Sequence, residues 1–186
     1  MSWSGYHPWF THWISLRAVS SKEQHYRELL LNSSHSTTSK KDTEQDLETA
    51  FAELLPSLPE PTPLSEILLT LRSNLLAFPS ALLGEVGLDR ASRIPYAYPA
   101  NPISLTPFTI PIEHQLPVLE AQLSVAVELR RGVSLHSVKA QLATKELIDR
   151  MGKRYGDAWE AISVDLHSCA LSPQMWKDIE VRGHLF

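Results

Sequence analysis

Cysteine, basic charge and long apolar runs are all scarce in this sequence. Its 186 residues include one cysteine, Cys169, which excludes an internal disulfide and any cysteine-rich zinc cluster and points to a reducing compartment. Seventeen Lys and Arg against 21 Asp and Glu leave a formal net charge of -4. There is thus no general basic surface, and nucleic acid would have to be held by a local patch or through bound cations. No apolar stretch approaches the roughly 20 residues of a membrane-spanning helix. The aromatic and polar N-terminus also lacks the basic-then-apolar order of a signal peptide. The chain therefore reads as soluble and unexported, cytosolic or nuclear, with no membrane partner. A glycine-rich phosphate loop is missing as well, which removes the usual mark of an open nucleotide-binding sheet.

What remains is the composition of an ordinary globular protein, 43% hydrophobic and 20% charged, with one domain over 1–186 as the expectation. The polar stretch 32–46 has no apolar periodicity and is predicted to be a disordered surface insertion. Helical spacing follows over Leu47 to Leu55. A stiff connector holds Pro56, Pro59, Pro61 and Pro63, and a second helix is predicted over Ser65 to Phe78. After Pro79 the run from Ser80 to Gly87 is short, apolar and ends in an acid between glycines, which predicts a buried strand and a tight loop. The proline-rich 94–111 segment predicts a long loop of the kind that covers sites. A helix over Glu113 to Arg131 is predicted to carry Pro117 in its first turn and Gly132 as its C-cap. Alternation at Val133 to His136, a helix from Val138 to Met151, alternation at Ile162 to His167 and a last helix from Ser172 or Pro173 complete the order. Helices and strands that alternate in this way imply an α/β fold with parallel strands, in an open sheet or a β/α barrel.

Each of the three predicted strands ends in a potential metal ligand: Glu85, His136 and His167. In parallel α/β folds that edge gathers active sites, because loops there vary while the strands stay rigid. Either histidine alone is equally a half-buried imidazole bonded to backbone. Together with a carboxylate, two imidazoles form a normal ligand set for a divalent cation, zinc or magnesium. Asp165, two residues before His167, is either a partner of that histidine or a solvated acid. Cys169 is either a soft extra ligand, a redox-sensitive thiol or a small buried apolar residue. If the three strand ends are coincidental, their groups should lie more than about 8 Å apart, given metal–ligand bonds near 2 Å.

The segment Gly84-Glu85-Val86-Gly87-Leu88-Asp89 resembles the Gly-Glu-(Ile/Val)-Gly-Leu-Asp signature of the TatD family of metal-dependent hydrolases and deoxyribonucleases, which are amidohydrolase-like. Gln115 with Val118 to Leu123 resembles that family's next helix, and Val133 to Ser137 its histidine strand. His167-Ser168 falls where a further histidine strand stands. Gly5-Tyr6-His7-Pro8-Trp9-Phe10 resembles a Gly-x-His-Pro segment in the form closest to fungal members. The resemblance implies that Glu85 is a metal ligand bridging two cations and that His136 and His167 bind one of them. It places His7 in a loop beside the site, with a structural role. The implied reaction is hydrolysis of DNA phosphodiesters, or of a small phosphoester or amide substrate, by metal-activated water.

The same resemblance implies a partial (β/α)8 TIM-type barrel. The family's first strand, with its His-x-His pair, and the late strand that supplies an aspartate have no counterpart here. No catalytic residue is therefore identified. The chain is expected to be truncated at both ends, and to be inactive or impaired alone, since a full barrel takes about 250 residues. The alternative function is non-catalytic: a scaffold that keeps the fold as partner of a cell-cycle complex, as is described for fungal members.

Overall fold

The computed structural model describes residues 3–32, 43–169, 172–174 and 177. Four parallel strands form its central sheet: β1 (Trp3–Ser4), β4 (Leu82–Asp89), β7 (Val133–Val138) and β8 (Val164–His167), hydrogen-bonded in that order. Between them in the chain come β2 (Ile14–Ser15), α1 (Lys22–Leu30), α2 (Glu44–Leu54), β3 (Thr62–Pro63) and α3 (Leu64–Ala77). The hairpin strands β5 (Arg93–Pro95) and β6 (Leu105–Thr109) follow, then α4 (Ile112–Leu129), α5 (Gln141–Tyr155) and the single turn α6 (Asp157–Glu160). The molecule is thus a mixed α/β protein with parallel strands. No helix among the described residues is long and apolar enough to cross a membrane.

The parallel strands are buried because helices cover them. Leu83, Val86 and Leu88 of β4 pack with Val133 and Leu135 of β7 against Leu71 and Leu75 of α3, Leu119 and Leu123 of α4, and Leu147 and Met151 of α5. Trp159 in α6 is fully buried at the end of this core. A second apolar cluster joins Tyr26 and Leu30 of α1, Phe51 and Leu54 of α2, and Phe108 and Ile110 at the hairpin.

Helix α4 is the central post, and its polar buried residues tie the loops at the strand ends to it. Gln122 accepts from Tyr6 N–H through Oε1 at 2.8 Å, just after β1. Gln115 accepts from Asp89 N–H at 2.8 Å and donates to the carbonyls of Asp89 and Ile110, both at 2.8 Å. His114 bonds the Thr11 carbonyl through Nε2 at 2.8 Å. These amides satisfy backbone groups that no strand partner reaches, which buried polar backbone requires.

Several local expectations are corrected. Pro117 lies in the second turn of α4, counting from Ile112, where it removes one intrahelical bond. The C-cap of that helix is Arg130 in the left-handed region at φ 52°, whose N–H reaches the Ala126 and Val127 carbonyls. Gly132 instead lets strands close up, since a Cβ there would meet Leu82 Cδ2 and Ser163 Oγ at 2.9 Å. The 94–111 segment is not irregular throughout: β5 and β6 pair as an antiparallel hairpin, locked where Thr106 donates its hydroxyl to the Ile94 carbonyl at 2.7 Å. Alternation of burial, not proline content, decides there. Of the predicted 32–46 insertion, 33–42 lies outside the described residues. Its end is ordered, because Thr43 and Asp46 form a reciprocal capping box that starts α2. The last predicted helix lies mostly outside the described residues.

Candidate metal centre

The sheet register brings the predicted site residues together. Gly87 pairs with His136, and His136 pairs with His167, so the two histidines stand side by side at the same sheet edge. Glu85 joins them through an irregularity in β4. From Leu83 to Val86 the strand advances three residues while β7 advances two, from Val133 to Leu135. This bulge re-aims the extra residue. It turns Glu85 out of the pleat with its side chain 44% exposed, between strand neighbours that stay buried.

Gly87 and Gly5 have distinct steric reasons. At Gly87, φ is 156° and a Cβ would stand 2.0 Å from the His136 carbonyl oxygen, so only glycine lets β4 approach the histidine strand. At Gly5 a Cβ would meet Val86 Cγ1 at 2.7 Å and Gly84 N at 3.1 Å, so the turn after β1 also lies directly on the bulge.

The Glu85 Oε2 atom lies 3.7 Å from His167 Nε2 and 3.7 Å from His7 Nε2. One ligand atom each from His7, Glu85 and His136 falls within 4.8 Å of the others. The rings of His136 and His167 are 5.6 Å apart at their centroids, and those of His7 and His136 are 4.7 Å apart. These separations lie inside the roughly 8 Å beyond which the groups could not share one ion. Two ligands held about 2.1 Å from a tetrahedral ion lie roughly 3.4 Å apart, close to the 3.7 Å measured between Glu85 and His167.

Hydrogen bonding constrains which nitrogen each imidazole can offer, since the partner of one ring nitrogen bears on the state of the other. His167 Nδ1 lies 3.3 Å from Ser134 Oγ, whereas its Nε2 is buried and has no hydrogen-bond partner. That nitrogen faces the Glu85 carboxylate oxygen at 3.7 Å, beyond hydrogen-bond reach. His136 places Nε2 3.4 Å from Asp89 Oδ2, so its proton belongs there and its Nδ1 keeps the lone pair. His7 differs. Its Nδ1 accepts the Trp9 N–H at 3.3 Å and caps the 3-10 turn Pro8–Trp13. The His7 proton is therefore on Nε2, which faces Glu85 as a donor. Burial, with repulsion from His136 next, lowers the His7 pKa to about 4, so this imidazole is neutral at pH 7.

Two residues to which the sequence assigned no role complete the site. Asp89, 5% exposed, receives Trp9 Nε1–H on Oδ2 at 2.7 Å and the N–H groups of Ala91 and Ser92 on Oδ1 at 2.7 and 2.9 Å. Burial alone would raise its pKa. The bonds from His136, Trp9 and the two backbone groups outweigh that and hold the carboxyl well below the usual range. Asp89 stood within the glycine-flanked signature, and Trp9 within the aromatic N-terminal segment, but their contact spans 80 positions in sequence. Asp165, by contrast, is 69% exposed and lies 3.9 Å from His167 Nδ1, farther than Ser134. Cys169 is half-buried against the main core.

The fold and site thus define a mixed α/β protein with a histidine–carboxylate cluster on adjacent parallel strands. Comparison with known proteins adds one relative. The chain is 35% identical over 144 residues to Cut9-interacting protein scn1 of Schizosaccharomyces pombe, an alignment that covers 73% of this chain and 39% of that protein. The chain thus spans about two-fifths of the length of the curated relative it matches. No protein-family model and no solved structure matches it.

Proposed function

We propose that this chain serves as an interaction protein of the scn1 type, a partner of Cut9 or its counterpart, built on a TatD-like scaffold. The observation that carries this is the 35% identity to a protein named for interacting with Cut9. A cytosolic or nuclear location follows from the same reading. Four parallel strands hydrogen-bonded in chain order support the TatD-like scaffold, because consecutive strands of a β/α barrel lie in that order. The test is binding of the purified chain to purified S. pombe Cut9 by interferometry. Saturable binding in the micromolar range or tighter is expected, and no binding at tens of micromolar Cut9 would end this reading.

The orphaned His167 Nε2 facing Glu85 favours a second reading, a divalent-cation site with hydrolytic chemistry. Glu85 Oε2, His136 Nδ1 and His167 Nε2 would hold the ion, and this mixed oxygen–nitrogen set favours zinc over magnesium. A cation there supplies Lewis acidity and an acidified water for attack on a phosphoester or amide. Around it, Asp89 orients His136, Ser134 orients His167, and the His7 Nε2–H can donate to an anionic oxygen of the substrate. Calorimetric titration with zinc should give a dissociation constant that rises at least tenfold in His136→Ala and His167→Ala. Equal affinity in wild type and both variants would remove the site.

A further inference from the structure

Beside the histidine cluster lies a second cavity that neither reading uses. It measures about 370 Å³ and sits between the 3-10 turn Pro8–Trp13 and the β5–β6 hairpin. That volume is within the range of small-molecule pockets. Its walls are mostly apolar and aromatic, and Trp9, Phe10, Trp13 and Tyr98 line both this cavity and the cleft that holds Glu85, His136 and His167. The two spaces therefore share an aromatic partition. Around the cavity Trp9, Tyr98, Ile103 and Leu105 leave 47–67% of their surface in water, although exposed apolar groups gathered in one place usually mark a binding site.

Among the lining residues is one buried imidazole, His12, 3% exposed. The wall rings pack on one another into a continuous aromatic face: Phe10 lies 4.8 Å from Trp13 and 5.6 Å from Tyr98 between ring centroids. Offset or edge contacts with a further ring fall within this spacing.

We infer that this cavity binds the planar aromatic group of a small anionic molecule whose anion reaches the Glu85, His136 and His167 cleft. The aromatic half stands on the cavity, and the anionic half rests on the cation reading above. The hydrophobic walls supply affinity, while the cleft and the His7 Nε2–H supply the polar end, the usual division of labour in a ligand site.

Three probes separate the halves: 1-naphthylphosphonate, methylphosphonate and 1-naphthol, each titrated against zinc-loaded and zinc-free full chain by calorimetry and tryptophan quenching. With zinc, naphthylphosphonate should bind at least tenfold more tightly than methylphosphonate, and naphthol should bind with or without zinc. Ile103→Arg, at a 64% exposed wall position, should cut the naphthyl advantage to less than threefold and leave methylphosphonate unchanged. His167→Ala should abolish the methylphosphonate signal and spare naphthol. Equal affinity of the two phosphonates, or absence of saturable naphthol binding, overturns the aromatic pocket. Naphthol bound while neither phosphonate responds to zinc overturns the anionic half and the cation reading with it, and leaves the aromatic pocket standing.

Discussion

Replacing Gly87 with alanine tests the steric basis of the site most directly. The added Cβ would stand 2.0 Å from the His136 carbonyl oxygen and 2.7 and 2.8 Å from its carbonyl carbon and nitrogen. Ordinary van der Waals contact begins at 3.4 Å, so β4 and β7 must part by about 1.4 Å at the center of the sheet. Such a gap disrupts about two ladder hydrogen bonds, each contributing about 1 kcal/mol net, and adds backbone strain of about 1–3 kcal/mol. The expected loss is about 3–5 kcal/mol, a large fraction of the 5–15 kcal/mol typical of a domain. Gly156→Ala is the control, because Gly156 has φ 50° and ψ -129° but nothing within 4 Å of an added Cβ. It should lose only about 1–2 kcal/mol, from strain alone. Urea unfolding followed by tryptophan fluorescence measures both, with the buried Trp159 reporting on the core. A Gly87→Ala variant no less stable than Gly156→Ala would refute the close-approach account of the glycine-flanked signature.

Asp89→Asn should lose about 2–3 kcal/mol, because four donors including Trp9 Nε1 converge on that carboxylate. It should also weaken zinc binding tenfold or more by loosening His136; unchanged zinc affinity in a folded Asp89→Asn would deny Asp89 that part. Trp9→Phe keeps a ring and removes one donor, so urea unfolding should register about 1 kcal/mol. Acid should destabilise the fold. Burial, then repulsion from His114 and His25, lowers the His12 pKa to about 3, and burial lowers His114 to about 4. Both lie below the 6.5 of an unfolded histidine, so the unfolded chain takes up more protons. The stability they contribute is full above pH 6.5 and is lost as pH falls towards 4, at about 1.4 kcal/mol per pH unit for each histidine. His114→Gln should remove one such increment from the slope between pH 6 and 4.5, and an unchanged slope would contradict it.

The alternation of helical and strand-like spacing was enough to fix the main elements, because burial periodicity is a local property of the chain. Helices near 64–77 and 112–129 and strands carrying Glu85, His136 and His167 were legible for that reason, although β4 runs on to Asp89 and β7 to Val138. The three strand-end groups could also be read, since parallel α/β architecture places such ends on one edge. What escaped was anything set by contacts distant in sequence. The β5–β6 hairpin lay hidden among prolines because its pairing depends on Thr106 reaching Ile94.

The site divides along the same line. By itself the sequence placed Glu85, His136 and His167 on three successive parallel strands, since residue type and strand pattern are written in it. Only the tertiary structure decided how they present their atoms. The bulge in β4 aims Glu85, Asp89 takes the proton of His136, Ser134 leaves His167 Nε2 bare, and Trp9 turns His7 into a donor. Each of these depends on the angle and distance at which separate segments meet, and the packing of α4 against the sheet sets those angles.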